Sequence, residues 1–115
     1  MKDGINICFR IESGYFMDFL SVWVEWKFPF LPRVGEHVNG WIWIESKHIN
    51  FDKVKSKLSD KGLVFLHEMN DEIENFLYEV SMSLFVSSVC YLKDDDGSIY
   101  ASISLSEEKV YPDKW

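Results

Sequence analysis

The stretch from Phe28 to Val38 constrains the fold most, because no regular strand or helix can run through it. It holds two of the three prolines of the chain and one of its six glycines. Pro29 and Pro32 fix φ and remove two backbone donors. Gly35 supplies a position at which φ can be positive and the chain can change direction. We predict a shaped turn between two strands, with Pro32 and Gly35 as its structural residues.

Apolar and polar side chains alternate on both sides of this turn. The period of two predicts a half-buried strand over residues 5–12 and a second one, antiparallel to it, over residues 19–28. Residues 37–46 predict a third strand, in which Trp41 and Trp43 oppose other bulky apolar side chains. A strand that is apolar on both faces is buried on both sides or meets a partner on one of them.

The spacing of apolar residues predicts one clear helix, over residues 51–60. Asn50 suits its N-cap, and Gly62 stands where a left-handed residue often ends a helix. Residues 63–66 are short and apolar, which indicates a strand. Residues 71–76 fit either a short helix or the approach to a strand, and we favour a long strand that begins near residue 76 and bends or carries a bulge.

The end of the chain is typical of a β-hairpin. Residues 99–105 alternate in polarity after an Asp-Asp-Asp-Gly turn at 94–97. An even-length loop would set Leu92 beside Ile99 on the core face, and this is the register that we predict. A three-residue loop would instead put Ile99 beside Lys93.

Together these elements predict a single domain over residues 1–115 of mainly β (α+β) class. We expect a small, strongly bent antiparallel sheet or a partly open SH3-like barrel of 5–6 strands, with one helix near residues 51–60. Residues 31–38, Leu-Pro-Arg-Val-Gly-Glu-His-Val, resemble the Pro-x-Val-Gly-Glu-x-Val stretch of small bacterial and phage proteins with SH3-like barrels. Residues 86–91 and 96–105 are similar to the later strands of those proteins. The resemblance implies a fold and no activity.

The net charge of −7 and the pI of about 4.8 oppose nonspecific binding of nucleic acid. The chain begins without an apolar run and has no stretch long enough for a membrane span, so we expect a cytoplasmic protein that binds neither nucleic acid nor membrane. Two cysteines, Cys8 and Cys90, are expected to be reduced residues of the core and not a disulfide.

The sequence contains no arrangement of residues that predicts catalysis. It has no glycine-rich phosphate loop and no nucleophile elbow, and its histidines, His37, His48 and His67, lie in three different elements. No histidine pair has metal-ligand spacing, so we predict no enzyme activity, no cofactor and no metal site.

Aromatic residues are the feature that indicates a function. If the second and third strands pair, Trp23, Trp41 and Trp43 form one aromatic patch, unless the helix or the tail covers them. We therefore predict a non-catalytic binding or assembly module that uses this face for a protein partner or for self-association. The alternative is an acidic inhibitor or immunity-type protein that binds a basic partner.

Overall fold

A computed structural model describes residues 5–107 of the chain. The described part contains four strands and four short helices. The strands are β1 (Ile5–Glu12), β2 (Phe19–Trp26), β3 (Phe85–Lys93) and β4 (Ile99–Ser106). The helices all lie between β2 and β3 in the chain, and they are α1 (Trp41–Ile44), α2 (Phe51–Ser56), α3 (Asp60–Glu68) and α4 (Ile73–Ser81).

The four strands form one open sheet in the order β2-β1-β4-β3. β1 pairs antiparallel with β2, and β3 pairs antiparallel with β4. The two hairpins join through β1 and β4, which run parallel. The α+β class is confirmed, but the predicted 5–6 strands and the partly open SH3-like barrel are not found in residues 5–107, and the sheet is mixed and not antiparallel throughout. The sheet stays open because two of the predicted strands are helices, and β2 and β3 therefore remain at its edges.

The alternation read from the sequence for β1, β2 and β4 is confirmed. One face of the sheet carries fully buried side chains such as Ile7, Phe9 and Ile103, and the helices contribute to the same core. The opposite face, which we call the outer face, carries small and polar residues such as Asn6, Ser21 and Ser102. The core thus lies on one side of the sheet. The outer face and the edges of the sheet remain accessible to a ligand or partner.

The third strand predicted over residues 37–46 is wrong. Residues 41–44 form helix α1, in which Trp43 and Ile44 are buried, and Gly40 precedes the helix. A short run of consecutive apolar residues fits a strand that is buried on both faces and a buried helical turn equally well, so its period cannot distinguish the two. The connection 28–38 therefore joins a strand to a helix, not two strands.

The predicted helix over residues 51–60 is two helices. Asn50 caps α2 as expected, since its Oδ1 accepts a hydrogen bond from the Lys53 amide at 3.1 Å. Ser59 then caps α3 by accepting from the Gly62 amide at 3.1 Å, so residues 63–66 are helical and the strand predicted there is wrong. Gly62 does not end a helix; it lies inside α3, where a Cβ atom would collide with the carbonyl oxygen of Tyr15.

The ambiguity after residue 70 is resolved in favour of the helix. α4 begins at Ile73 and continues to Ser81, beyond the short helix considered over 71–76. Phe76, Leu77 and Val80 are buried at helical spacing, so the agreement of Phe76 and Val80 with a period of two is coincidental. The strand therefore begins at Phe85, not near residue 76 as we favoured.

A β-bulge between Val86 and Ser88 changes the side-chain phase of β3. Beyond it, Lys93 pairs with Ile99 and Leu92 pairs with Tyr100, so the predicted pairing of Leu92 with Ile99 is wrong. The extra residue in the bulge turns Leu92 to the outer face. A bend or bulge was predicted in this strand, but hydrophobic patterning did not show where it lies.

The turn predicted at Gly35 is confirmed, because its φ is 90°. The Gly35 amide donates to the carbonyl of Val86 at 2.8 Å, and the Val86 amide donates to the carbonyl of Glu36 at 2.8 Å. The connection 28–38 thus runs beside the first residues of β3 and satisfies their outward backbone groups.

Candidate functional site

The three tryptophans of the predicted patch lie in three different environments. Trp23 is on the outer face of β2 and is 39% exposed. Trp41, in α1, stacks on Tyr78 with ring centroids 5.1 Å apart and an interplanar angle of 20°. Trp43 is 0% exposed, and its Nε1 has no hydrogen-bond partner among the described residues. The shared face predicted for them is wrong, since α1 is a helix on the core side of the sheet.

Trp23 has instead a different aromatic neighbour, Tyr100 of β4. Their ring centroids are 5.0 Å apart and their planes meet at 60°. β1 lies between their two strands, where Cys8 pairs with Trp23 and Asn6 pairs with Tyr100. Because these intervening residues are short, the two rings can meet above β1.

A cleft of about 490 Å³ opens beside this aromatic pair. It lies where β2 ends and where β1 and β4 begin, and the acidic hairpin between β3 and β4 forms part of its wall. Among the described residues, its charged lining consists of three carboxylates and one ammonium group, from Glu25, Asp94, Asp96 and Lys27. The cleft therefore combines exposed aromatic surface with an excess of negative charge.

The carboxylates of the cleft are held by short local contacts. Asp96 Oδ1 accepts hydrogen bonds from the amide and the hydroxyl of Ser98, at 2.9 and 2.5 Å. Asp94 Oδ1 accepts from the Asp95 amide at 2.8 Å. The hairpin tip thus presents its acids in a fixed arrangement.

Glu25 is the carboxylate at the opposite wall. Lys47 Nζ lies 3.1 Å from its Oε1 and His48 Nε2 lies 3.8 Å from the same oxygen. The hydrogen bond and the charge of Lys47 lower the pKa of Glu25, with smaller contributions from His48 and Lys27. Glu25 is therefore ionised at neutral pH, and its charge is paired with Lys47 and His48 in the segment that follows α1.

Cys8 and Cys90 both lie on the outer face, on either side of Ser102. They are two strand spacings apart, about 9–10 Å, which is too far for a disulfide. Both are free thiols, but neither is in the core as predicted, since Cys8 is half-buried and Cys90 is exposed. Burial raises the pKa of Cys8 and outweighs the opposite effects of the Ser21 hydrogen bond and the Arg10 charge. Cys8 is therefore a poor nucleophile at neutral pH.

The histidines do not come together. The ring Nδ1 of His37 is 2.9 Å from the carbonyl of Leu84, His48 lies beside Glu25, and His67 is in the last turn of α3. Within residues 5–107, no three potential ligands among His, Cys, Asp and Glu are grouped to hold a metal ion. None of the helices in that range is both long and apolar enough to cross a bilayer.

No family model, curated protein or solved structure matches the chain. Trp23 was found from the sequence because it stands opposite the core phase of its strand. Tyr100 and the acids at the hairpin tip were missed as its neighbours. The signal that unites them is the parallel pairing of β1 with β4, which joins residues far apart in the chain and leaves no mark in local periodicity.

Proposed function

We propose that the chain is a non-catalytic binding module that accepts a basic side chain of a protein partner in the cleft beside Trp23 and Tyr100. The observation that carries this proposal is the aromatic pair of exposed Trp23 and half-buried Tyr100, which lies next to the carboxylates of Asp94 and Asp96. An arginine or lysine side chain combines a cation with an apolar stem, so it suits both parts of such a cleft.

The chain already uses the same chemistry within its own surface. The guanidinium of Arg10 lies 3.8 Å from the ring centroid of Phe19, and Lys61 Nζ lies 4.5 Å from that of Tyr15. A cation over an exposed ring contributes about 0.5–1 kcal/mol, and more when water is excluded. The net charge of −7 would in addition attract a basic partner over a longer range.

The chemistry of the cleft favours binding over catalysis. Among its lining residues in the described part, none is a histidine or a cysteine. Asp94 and Asp96 each accept hydrogen bonds from within the hairpin, which fixes their carboxylates as acceptors. If the chain covered the basic surface of a partner, that partner would lose access to its own ligands. We therefore favour an inhibitor or immunity-type role for this binding module.

The proposal is tested by titrating isotope-labelled protein with an arginine-rich peptide and, as a control, with a glutamate-rich peptide of the same length. We expect the Trp23 indole and the Tyr100 amide to shift with the arginine-rich peptide alone. The affinity should fall steeply as the salt concentration rises. Shifts confined to other acidic surfaces, or no shifts at all, would refute the cleft as the binding site.

A pair of variants separates the contribution of the Trp23 ring to peptide binding from that of the negative charge of the protein. Trp23→Ala should weaken binding of the arginine-rich peptide about 2- to 5-fold, the loss expected for one exposed cation–π contact. Phe30→Ala is the matched control, because Phe30 is an exposed aromatic residue that does not line the cleft. Equal effects of the two substitutions would show that the aromatic pair has no specific part in binding.

A further inference from the structure

The outer edge of β3 is the second surface of the chain that is equipped for an interaction. Its beginning is covered, because Val86 exchanges two backbone hydrogen bonds with Gly35 and Glu36. Beyond the bulge, from residue 88 to residue 93, no other backbone segment among residues 5–107 pairs with this edge. We call residues 89–93 the open edge.

The direction of the backbone groups on the open edge follows from the hairpin. The Asp94 amide donates to the carbonyl of Ser98 at 2.8 Å, so this pair bonds across the hairpin. Antiparallel pairs alternate between bonded and non-bonded, and the N–H and C=O groups of Val89, Tyr91 and Lys93 therefore point away from β4. Apart from a long contact of 4.0 Å between the Cys90 thiol and the Tyr91 carbonyl, these outward groups have no partner among the described residues.

The side chains of the open edge are also suited to burial. Tyr91 is 61% exposed and Leu92 is 40% exposed, on opposite faces of the strand. Val89 is partly buried against the core, and Lys93 is the one charged residue in the segment. Folded proteins usually protect such an edge with charges, a proline or a covering segment.

We propose that the open edge pairs with the open edge of a second copy of this chain. The two β3 strands would run antiparallel, with Tyr91 opposite Tyr91 of the second copy, and would join two four-stranded sheets into one. The proposal concerns a surface different from the cleft, which is lined by residues of β2, β1, β4 and the hairpin tip, and it does not depend on the proposed function.

Charge decides the relative direction of the two strands. Asp94, Asp95 and Asp96 stand at one end of the open edge. Parallel pairing would bring the two acidic tips side by side, whereas antiparallel pairing places them at opposite ends of the interface. Like charges that are adjacent across a sheet oppose pairing, so the antiparallel arrangement is favoured.

Hydrogen bonding decides the register. With Tyr91 at the centre, Val89 of each copy pairs with Lys93 of the other, and all three outward residues of each strand are used. Each of these pairs exchanges two hydrogen bonds. Centring on Cys90 or Leu92 would leave one outward residue of each strand without a partner. On the outer face, the same register sets Leu92 beside Cys90 of the second copy.

The direct test is a charge exchange at the centre of the interface, followed by analytical ultracentrifugation at micromolar to millimolar protein. We expect the wild-type chain to form a dimer. Tyr91→Lys and Tyr91→Glu should each raise the dissociation constant about tenfold or more, since each places like charges face to face. An equimolar mixture of the two variants should restore a dimer.

The controls are Val64→Lys and Val64→Glu. Val64 lies in α3, outside the sheet, and is 59% exposed, close to the value for Tyr91. These variants should dimerise like the wild type. A wild-type chain that stays monomeric would overturn the proposal. The open edge would then be available for pairing with an extended segment of another protein. A dimer that survives both charged variants at Tyr91, or a mixture that fails to re-form one, would overturn it as well.

Hydrogen exchange of the wild-type protein gives a second measurement that needs no variant. The amides of Val89, Tyr91 and Lys93 should exchange more slowly in concentrated than in dilute protein, because only pairing with a second copy protects them. The inward amides of Cys90 and Leu92 should be protected at both concentrations. Outward amides whose exchange does not depend on concentration would overturn the proposal.

Discussion

The two edges of the sheet differ in how the rest of the chain treats them. Along β2, the carbonyl of Trp23 accepts a hydrogen bond from Ser46 Oγ at 2.5 Å, and the carbonyl of Phe19 accepts one from Lys57 Nζ at 3.2 Å. Lys47 adds an ion pair with Glu25 of the same strand. Along β3, a comparable cover extends over Val86 and stops there.

The difference shows that each edge is contacted by a segment that the chain already needs for another purpose. Side chains of residues 46–57, a segment that includes α2, contact β2, while the backbone of the connection 28–38 turns the chain after β2 and pairs with the start of β3. No further connection in the described part passes along residues 89–93. The hairpin joining β3 to β4 is too tight to fold back on the edge, so no residue between 5 and 107 covers that half of β3.

The largest effect is expected for a pair of proline substitutions in β3, which test whether its outer edge is unpaired beyond the bulge. Cys90→Pro removes an amide that bonds to β4 and should lower the free energy of unfolding by at least about 2 kcal/mol. Tyr91→Pro removes an outward amide and should cost less than about 1 kcal/mol, because proline is tolerated on edge strands. Urea denaturation of dilute protein measures both values. Equal costs would mean that the Tyr91 amide is not directed to the open side.

A second, smaller effect is expected at the cover of the β3 start. Gly35→Val forces a β-branched residue to a φ of 90° and should cost about 1–3 kcal/mol. Gly14→Val is the control, since Gly14 lacks a positive φ and the nearest atom to an added Cβ is the flexible end of Lys61, at 3.7 Å. Thermal unfolding compares the two. An unchanged melting temperature for Gly35→Val would show that the turn does not depend on glycine.

The smallest effect should be found at the cover of β2. Ser46→Ala removes the hydroxyl that donates to Trp23 and should cost about 0.5–1.5 kcal/mol. In Ser56→Ala, the lost hydroxyl donates to Lys53 within the same helix, and we expect a change within about 0.5 kcal/mol. If both substitutions have the same small effect in denaturant titrations, the Ser46 contact does not guard the edge.

The strands could be predicted from the sequence wherever one face is buried and the other is solvated. β1, β2 and β4 meet this condition, and their bounds were predicted to within about two residues. The helices could not be predicted as well, because α1 is short and buried, and α4 carries apolar residues that fit both periods. The positive φ of Gly35 was predictable because proline and glycine act locally.

The candidate site could be predicted in one part only. Trp23 was identified as an outward aromatic residue, whereas its pairing with Tyr100 depends on the order of the strands. The placement of Trp41 and Trp43 failed with the strand that was meant to carry them. The bulge in β3 adds one residue to the strand and thereby decides which groups form the open edge, and no local pattern marks it.

The guard along β2 has a consequence for the size of any assembly. A sheet with two open edges can add copies without limit, as fibrils do. In this chain Ser46 and Lys57 occupy two carbonyls of one edge, those of Trp23 and Phe19, so a strand added there would first have to displace them. Pairing through β3 would use up the open edge of each copy at once, and growth would stop at two. The same serine that holds a loop against the sheet would then act as a terminator of polymerisation.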